Sequence, residues 1–262
     1  LNQRRLLHRK HRAAAFCVIT IEDLMKKLRL GEFERNSLVV FAITMIANVL
    51  SYLYQIVMGN VLTPADYGTV NTLLSLSVVV GVPSGIISAL TATYTAKYHA
   101  HGETFAIAAF MHGMLRVAAV LAAIVFVAGA LLSRPIAHVL QIDDPHYVTV
   151  VMVLVASNCL GPVFSSTLQG VKRFIPYSMN SVLSFAFRLL LGVIFVWLGW
   201  GIPGALAALI LAACLTMLYC LFKSRDLFFA PVKEKLALDR TEIRRYFVST
   251  FWFQLFLLLM AN

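Results

Sequence analysis

Apolar residues along the chain form long blocks that short polar segments separate. Six blocks are complete, at 38–59, 69–95, 105–132, 148–168, 177–198 and 202–222, and a seventh begins at Tyr246 and runs to Asn262. Each complete block reaches about 20 residues, the length that an α-helix needs to cross ~30 Å of hydrocarbon. The run 117–132 lacks the alternation of a membrane β-strand. The pattern therefore predicts an all-α, polytopic transmembrane helical bundle with six complete helices and the start of a seventh.

Composition supports a membrane protein and narrows its chemistry. Hydrophobic residues make up 60% of the chain and charged residues 13%, whereas a soluble domain has roughly half and a quarter. The four cysteines include no Cys-x-x-Cys pair and have no histidine at metal-ligand spacing. We interpret them as reduced, apolar packing residues. We expect no cofactor and no metal ion.

The positive charges are concentrated on one side of the predicted topology. Of the 22 Lys and Arg residues, only Arg134 lies in a loop on the opposite side, and only Arg116 and Arg188 lie inside blocks. The others occupy the leader and the same-side loops, at 1–36, 96–104, 169–176 and 223–245. The positive-inside rule then predicts a multi-pass protein of the inner membrane with a cytoplasmic N-terminus. We expect the basic segments to contact anionic membrane lipids and no nucleic acid.

The blocks and charges divide the chain into regions. Four regions are predicted: a basic cytoplasmic leader (1–36), an N-terminal six-helix lobe (37–222), a basic cytoplasmic linker (223–245) and the truncated start of a second lobe (246–262). The sequence from Met25 has the form of a natural start. Residues 1–24 therefore either belong to the leader or precede the native N-terminus.

Local signals predict one helix start and two helix breaks. Thr63 suits an N-cap, Pro64 the first helical position, and Asp66 completes a capping box. Gly-Pro interruptions occur at 81–85 (GVPSG) and 158–162 (NCLGP). Proline removes a helix hydrogen bond, and broken helices at membrane depth are tolerated where they line a cavity. The alternative is a kink that only improves packing.

Arg188 is the least expected residue in its block. It lies roughly 15 Å from either end at ~1.5 Å per residue, too deep for its side chain to reach water easily. An unpaired cation there costs at least ~2.5 kcal/mol. No Asp or Glu falls in any complete block. We therefore expect Arg188 to face an aqueous cavity or an anionic ligand.

Polar stripes on neighbouring blocks are expected to enclose such a cavity. Asn180 and Ser184 share one helix face with Arg188, and Asn48 and Gln55 belong to a stripe on the first block. Arg116 is a second cation at membrane depth. The predicted substrate-binding residues are therefore Arg188, Arg116, Asn48, Gln55, Asn180 and Ser184. For the amides and serines, polar contacts between packed helices are the alternative.

Catalysis is not expected, because no nucleophile–base set, acid pair or phosphate loop can be assembled. Transport is the leading interpretation. A membrane enzyme or a scaffold of glycan assembly is the alternative from another class, although the outer loops are short for such an enzyme.

Three stretches resemble a known family. The opening FERNSLVVFAITMIANVLSYLYQIVMGNVLTPADYGTVNTLLSL contains a helix-ending turn in which Leu62, Pro64, Tyr67 and Gly68 match. LQGVKRFIPYSM (168–179) and GWGIPGALAA (199–208) are further matches, the first through Gln169, Gly170, Arg173 and Phe174. From about residue 33 onwards, the chain resembles the polysaccharide biosynthesis flippases of the multidrug/oligosaccharidyl-lipid/polysaccharide exporter superfamily.

This resemblance implies a fold, a cargo and partners. Such transporters have two helical lobes around a central cavity and alternate between inward-open and outward-open states. They move polyprenyl-diphosphate-linked glycans, and a cationic cavity suits the diphosphate. The implied partners are that lipid-linked glycan and glycan-synthesis proteins. Only the first lobe is complete here, so we interpret the chain as a fragment or truncated product. A multidrug exporter of the same superfamily is the alternative, and it is expected to prefer intramembrane acids.

Overall fold

The computed structural model describes residues 32–142, 144–229 and 252. The helices of this part are α1 (Glu32–Val61), α2 (Pro64–Val80), α3 (Val82–Ala100), α4 (Thr104–Leu131), α5 (Ser133–Val139), α6 (Pro145–Gly170), α7 (Phe174–Trp197), α8 (Gly201–Lys223) and α9 (Arg225–Phe228). Helices α1, α4, α6, α7 and α8 are long and apolar enough to cross a membrane, and α2 and α3 are so when taken together as a bent pair. The prediction of a polytopic helical bundle is confirmed.

The second predicted block is divided into two helices. Helices α2 and α3 meet at an angle of 49°, and the break falls at Gly81, the residue that caps both. Pro83 follows two residues later, and its ring nitrogen has no proton to donate to the preceding turn. The Ser84 hydroxyl donates to the Gly81 carbonyl at 2.6 Å. The GVPSG interruption therefore bends the chain as predicted, and a serine binds one of the carbonyls at the bend.

The start of α2 has the predicted capping geometry. The Thr63 hydroxyl accepts a hydrogen bond from the Asp66 backbone N–H at 3.2 Å and donates one to the Asp66 carboxylate at 2.8 Å. Pro64 occupies the first turn, where a missing N–H does no harm. This local chemistry lets the chain reverse within two residues after α1 ends.

Helix α6 is the central helix of the bundle. It packs against α3, α4 and α8, and less extensively against α2, α5 and α7. Its close contact with α3 depends on Gly170, where an added Cβ would lie 2.6 Å from Thr95 Cβ and 2.9 Å from the Ala92 carbonyl oxygen. A hydrogen bond of 2.7 Å joins Ser88 of α3 to Ser166 of α6. These contacts fix α3 on α6 at the end where α6 terminates.

Helix α7 lies on the outside of α6, between α1 and α8. It packs against both of these helices, and Gly192 gives space to Met58 of α1. The outward faces carry large apolar side chains such as Phe41, Val120 and Trp197, which is 86% exposed. Such a surface is what a hydrocarbon solvent requires.

Several predicted regions lie outside the described residues. These are most of the leader (1–31), the linker from 230 to 245, and the seventh block apart from Trp252. The part of the predicted leader that is described, from Glu32 onwards, already belongs to α1. The four-region division therefore stays a prediction, with α1 beginning earlier than the first block.

Candidate substrate-binding site

A polar cavity of about 170 Å³ lies between α6, α7 and α8. Arg188 lines it together with six smaller polar residues: Ser157, Asn158, Ser165, Asn180, Ser184 and Thr216. Three helices thus place short polar side chains around one guanidinium at membrane depth. No Asp or Glu occurs in the five described straight spans, so the charge of the cavity is positive.

The Arg188 side chain is held by apolar and aromatic contacts. Its guanidinium carbon lies 5.5 Å from the centre of the Phe185 ring, a cation–π arrangement. Its Nε is buried and has no hydrogen-bond partner. The Tyr54 hydroxyl of α1 is likewise buried, without a hydrogen bond to any described residue. A buried guanidinium donor without an acceptor is costly. Because this atom is itself inaccessible, a ligand or water in the cavity contacts other atoms of Arg188.

Most hydroxyls around Arg188 are already used within their own helices. Ser157 donates to the Val153 carbonyl at 2.9 Å, and Thr216 donates to the Ala212 carbonyl at 2.8 Å. Between α7 and α8, the Cys220 thiol donates to the Asn180 side-chain oxygen at 3.2 Å. These hydrogen bonds hold the cavity wall in place. Arg188 is the charged side chain among the residues that line the cavity.

Pro162 of α6 lines the cavity and changes the hydrogen bonding of the helix there. The helix continues through this proline. The prediction that the helix breaks at NCLGP is therefore wrong. Proline has no N–H, however, and the Asn158 carbonyl therefore loses its normal helical donor. Both Asn158 and Pro162 line the cavity. The interruption marks a cavity-lining segment, as predicted, inside an unbroken helix.

The structure brings together three of the six predicted site residues. Asn180, Ser184 and Arg188 line one cavity. Asn48 and Gln55 of α1 are exposed and do not line it. The reason is that α1 packs through another face, which carries the buried residues Ala47, Tyr54 and Met58. The prediction that the α1 stripe encloses this cavity is therefore corrected.

Arg116 also lies elsewhere. It is exposed on α4, beside the exposed Val117 and Val120. It does not line the Arg188 cavity. Substrate contact by Arg116, Asn48 and Gln55 stays a prediction that no contact within the described residues supports.

The sequence did not single out Ser157, Ser165 and Thr216. Each is an isolated small polar residue in an apolar helix, and such residues normally bond back to their own helix, as Ser157 and Thr216 do here. The signal that does point to this wall is NCLGP, which contains Asn158, Gly161 and Pro162.

A second arginine has the opposite environment. Arg173, in the turn between α6 and α7, pairs with Asp226 of α9 through both guanidinium NH groups. It also donates to the Lys223 carbonyl at 3.1 Å. The Arg173 hydrogen bond lowers the pKa of Asp226, and the same bond raises the pKa of Arg173. This pair ties α9 to the α6–α7 turn beside a cavity of about 620 Å³.

Comparison of sequences identifies the family. A family model described as polysaccharide biosynthesis protein matches residues 33–261. The chain belongs to the polysaccharide biosynthesis protein family. Among curated proteins, no sequence matches it at a significant level. The family match covers the three stretches on which the resemblance rested.

Solved structures with the same fold are transporters. The chain is similar to a MATE transporter in complex with MaL6, with a TM-score of 0.70, 16% identity and coverage of 86% of this chain and 54% of that one. It is similar to the bent form of the Vibrio cholerae MATE transporter VcmN, with a TM-score of 0.66, 16% identity and coverage of 87% and 56%.

A third similar structure is a MOP superfamily transporter from Pyrococcus furiosus, with a TM-score of 0.62, 16% identity and coverage of 86% and 53%. Its binding pocket is described as having reverse polarity that suggests a different function. The chain spans about half the length of these transporters. At such identities the likeness establishes the fold.

Proposed function

We propose that the protein is a transporter that moves lipid-linked oligosaccharide or polysaccharide precursors across the inner membrane by alternating access. The family supports this cargo, and the fold supports transport by relative movement of helical lobes. The observation that carries the proposal is the Arg188 cavity, a cationic site at membrane depth with no carboxylate in the five described straight spans.

The role of Arg188 is to attract the diphosphate that links lipid to glycan. A guanidinium is always charged and forms paired hydrogen bonds to phosphate oxygens. Its interaction is strong in a water-poor environment, where screening is weak. Asn180 and Ser184 lie on the same helix face and add neutral polar groups beside the charge.

Complementation of glycan export in cells that lack the full-length transporter tests this proposal. Arg188→Ala is expected to reduce export about tenfold or more, since charge-assisted hydrogen bonds contribute roughly 1.5–3 kcal/mol. Arg188→Lys is expected to retain a part of it, because the charge stays and the paired geometry is lost. The matched control is Arg134→Ala, which removes an exposed arginine of α5. Full export by Arg188→Ala at normal membrane abundance would refute the role of this residue.

Multidrug export is the second candidate, because similar solved structures include a transporter described as a multidrug resistance MATE family member. Expression in drug-sensitive cells discriminates the two. Glycan export without increased drug tolerance supports the first function, and the converse supports the second.

A further inference from the structure

The volume of the Arg188 cavity limits what can enter it. Sites for drug-sized ligands have volumes of about 300–1,000 Å³, and this cavity has about 170 Å³. At ~30 Å³ per water molecule, it has room for only a few waters or one small ion with part of its hydration shell. This volume does not hold a sugar chain with its lipid, but the cavity is not fully enclosed, so the diphosphate of such a lipid can reach the guanidinium from outside.

The charge of the cavity selects the sign of that ion. Its only charged lining side chain among the described residues is Arg188, and the Nε donor of that side chain is buried without an acceptor. The Phe185 ring contacts the guanidinium and offers no hydrogen-bonding atom. Arg188 itself lines the cavity, so an anion in it neutralises the guanidinium charge.

We propose that the cavity between α6, α7 and α8 binds one small inorganic anion at Arg188, of the size of chloride or a single phosphate. Asn158 of α6 and Ser184 of α7 lie on the cavity wall. Their side chains complete the coordination shell of the ion. This anion is a ligand distinct from the exported lipid. The small anion and the lipid diphosphate are expected to compete for this guanidinium. That competition rests on the proposed function.

Anion-dependent thermal unfolding of the full-length protein tests the inference. The purified protein is titrated with sodium chloride or sodium phosphate in a zwitterionic detergent, with sodium gluconate keeping the ionic strength constant. A saturable rise in unfolding temperature with chloride or phosphate, but not gluconate, is expected for the wild type. The same titration after reconstitution into phosphatidylcholine vesicles excludes an anionic lipid headgroup as the source.

Three variants assign the effect to the cavity. Arg188→Gln is expected to weaken the apparent anion affinity at least about tenfold, as expected for loss of a charge-assisted hydrogen bond. Arg134→Gln removes the same charge from an exposed position on α5 and is expected to keep the full response. Gly161→Val keeps the charge and fills the cavity: Gly161 lines it, and an added Cβ there meets nothing within 4 Å. It is expected to unfold normally in gluconate and to lose the anion response.

The outcomes separate this inference from the proposed function. A wild-type protein that does not respond, or an equal response in Arg188→Gln and Gly161→Val, overturns the anion site. If export is lost in Arg188→Ala while no anion response exists, the proposed function stands and this inference fails. If anions bind in an Arg188-dependent way and Arg188→Ala exports glycan normally, the inference stands and the diphosphate role fails.

Discussion

The two arginines that follow α6 along the chain have opposite surroundings. Arg173 lies at the end of the bundle, is partly exposed, and pairs with Asp226 across two helical elements. Arg188 lies one helix further on, at membrane depth, with an aromatic ring beside it and a buried donor that has no acceptor among the described residues. The first charge is satisfied by the protein itself. The second charge has no ion-pair partner among the described residues.

The presence of a protein partner, and not depth alone, distinguishes a structural arginine such as Arg173 from a candidate ligand-binding arginine such as Arg188. A surface ion pair contributes little to stability, because water screens it and the side chains lose freedom. A buried unpaired charge is destabilising, and it persists where it serves a ligand. Two kinds of substitution test this difference. One gives Arg188 a carboxylate partner, and the other removes the partner of Arg173.

The largest effect is expected from Ser184→Glu, which gives Arg188 a carboxylate one turn away on the same helix. Residues four apart on a helix are neighbours, so the new carboxylate is expected to occupy the guanidinium. Glycan export should fall about tenfold or more, to the level of Arg188→Ala. The measurement is export by complementation together with membrane abundance.

The matched control for this variant is Ser184→Gln, which has nearly the same size and no charge. It is expected to retain more export than the glutamate. Equal export from the two variants would mean that pairing of Arg188 does not matter.

A smaller effect is expected from Asp226→Asn, which removes the partner of Arg173. The two side chains are 42% and 51% exposed, so solvent screening limits the loss to roughly 0.2–1 kcal/mol in the free energy of unfolding. Thermal unfolding of the purified protein measures it. Glycan export is expected to stay near the wild-type level.

Charge reversal checks that the pair itself is responsible. The double variant Arg173→Asp with Asp226→Arg should regain part of the stability that either single reversal loses. No recovery in the double variant would contradict a direct interaction between these two positions.

The smallest effect is a pH dependence of the same pair. Arg173 lowers the pKa of Asp226 below its ordinary value of 3.8, so the unfolded chain binds the proton more readily than the folded one. The contribution of the pair is therefore present above about pH 4 and is lost as the pH falls through the lowered pKa. The difference in unfolding temperature between wild type and Asp226→Asn should shrink from pH 6 to pH 3. A difference that grows on acidification would have the wrong sign for this pair.

The sequence was sufficient for the helical architecture because membrane helices must bond their own backbone and expose apolar side chains. The break at Gly81 and the capping of α2 by Thr63 followed from local chemistry, since glycine, proline and threonine act on their own turn. The face of Arg188 with Asn180 and Ser184 followed from helical spacing. Each of these predictions needed only residues close together in the chain.

Which of the predicted residues share one cavity depended on which helices are neighbours. Asn48 and Gln55 form a regular stripe on α1, yet Tyr54 and Met58 on another face make the contact with α7. Arg116 was grouped with Arg188 by depth, whereas α4 turns it to the outer surface. Spacing within a helix shows which residues share a face. The packing of the helices decides which neighbour that face contacts.

The bend at Gly81 also bears on the bilayer that this lobe fits. Helices α2 and α3 contain 17 and 19 residues, which at ~1.5 Å per residue would make a straight rod of roughly 50 Å. The hydrocarbon core is ~30 Å thick, so a straight rod would create a large hydrophobic mismatch. Folding it by 49° brings its ends closer by only about a tenth, so the polar ends of the segment, which carry Asp66 and Lys97, still extend beyond the hydrocarbon core along the membrane normal.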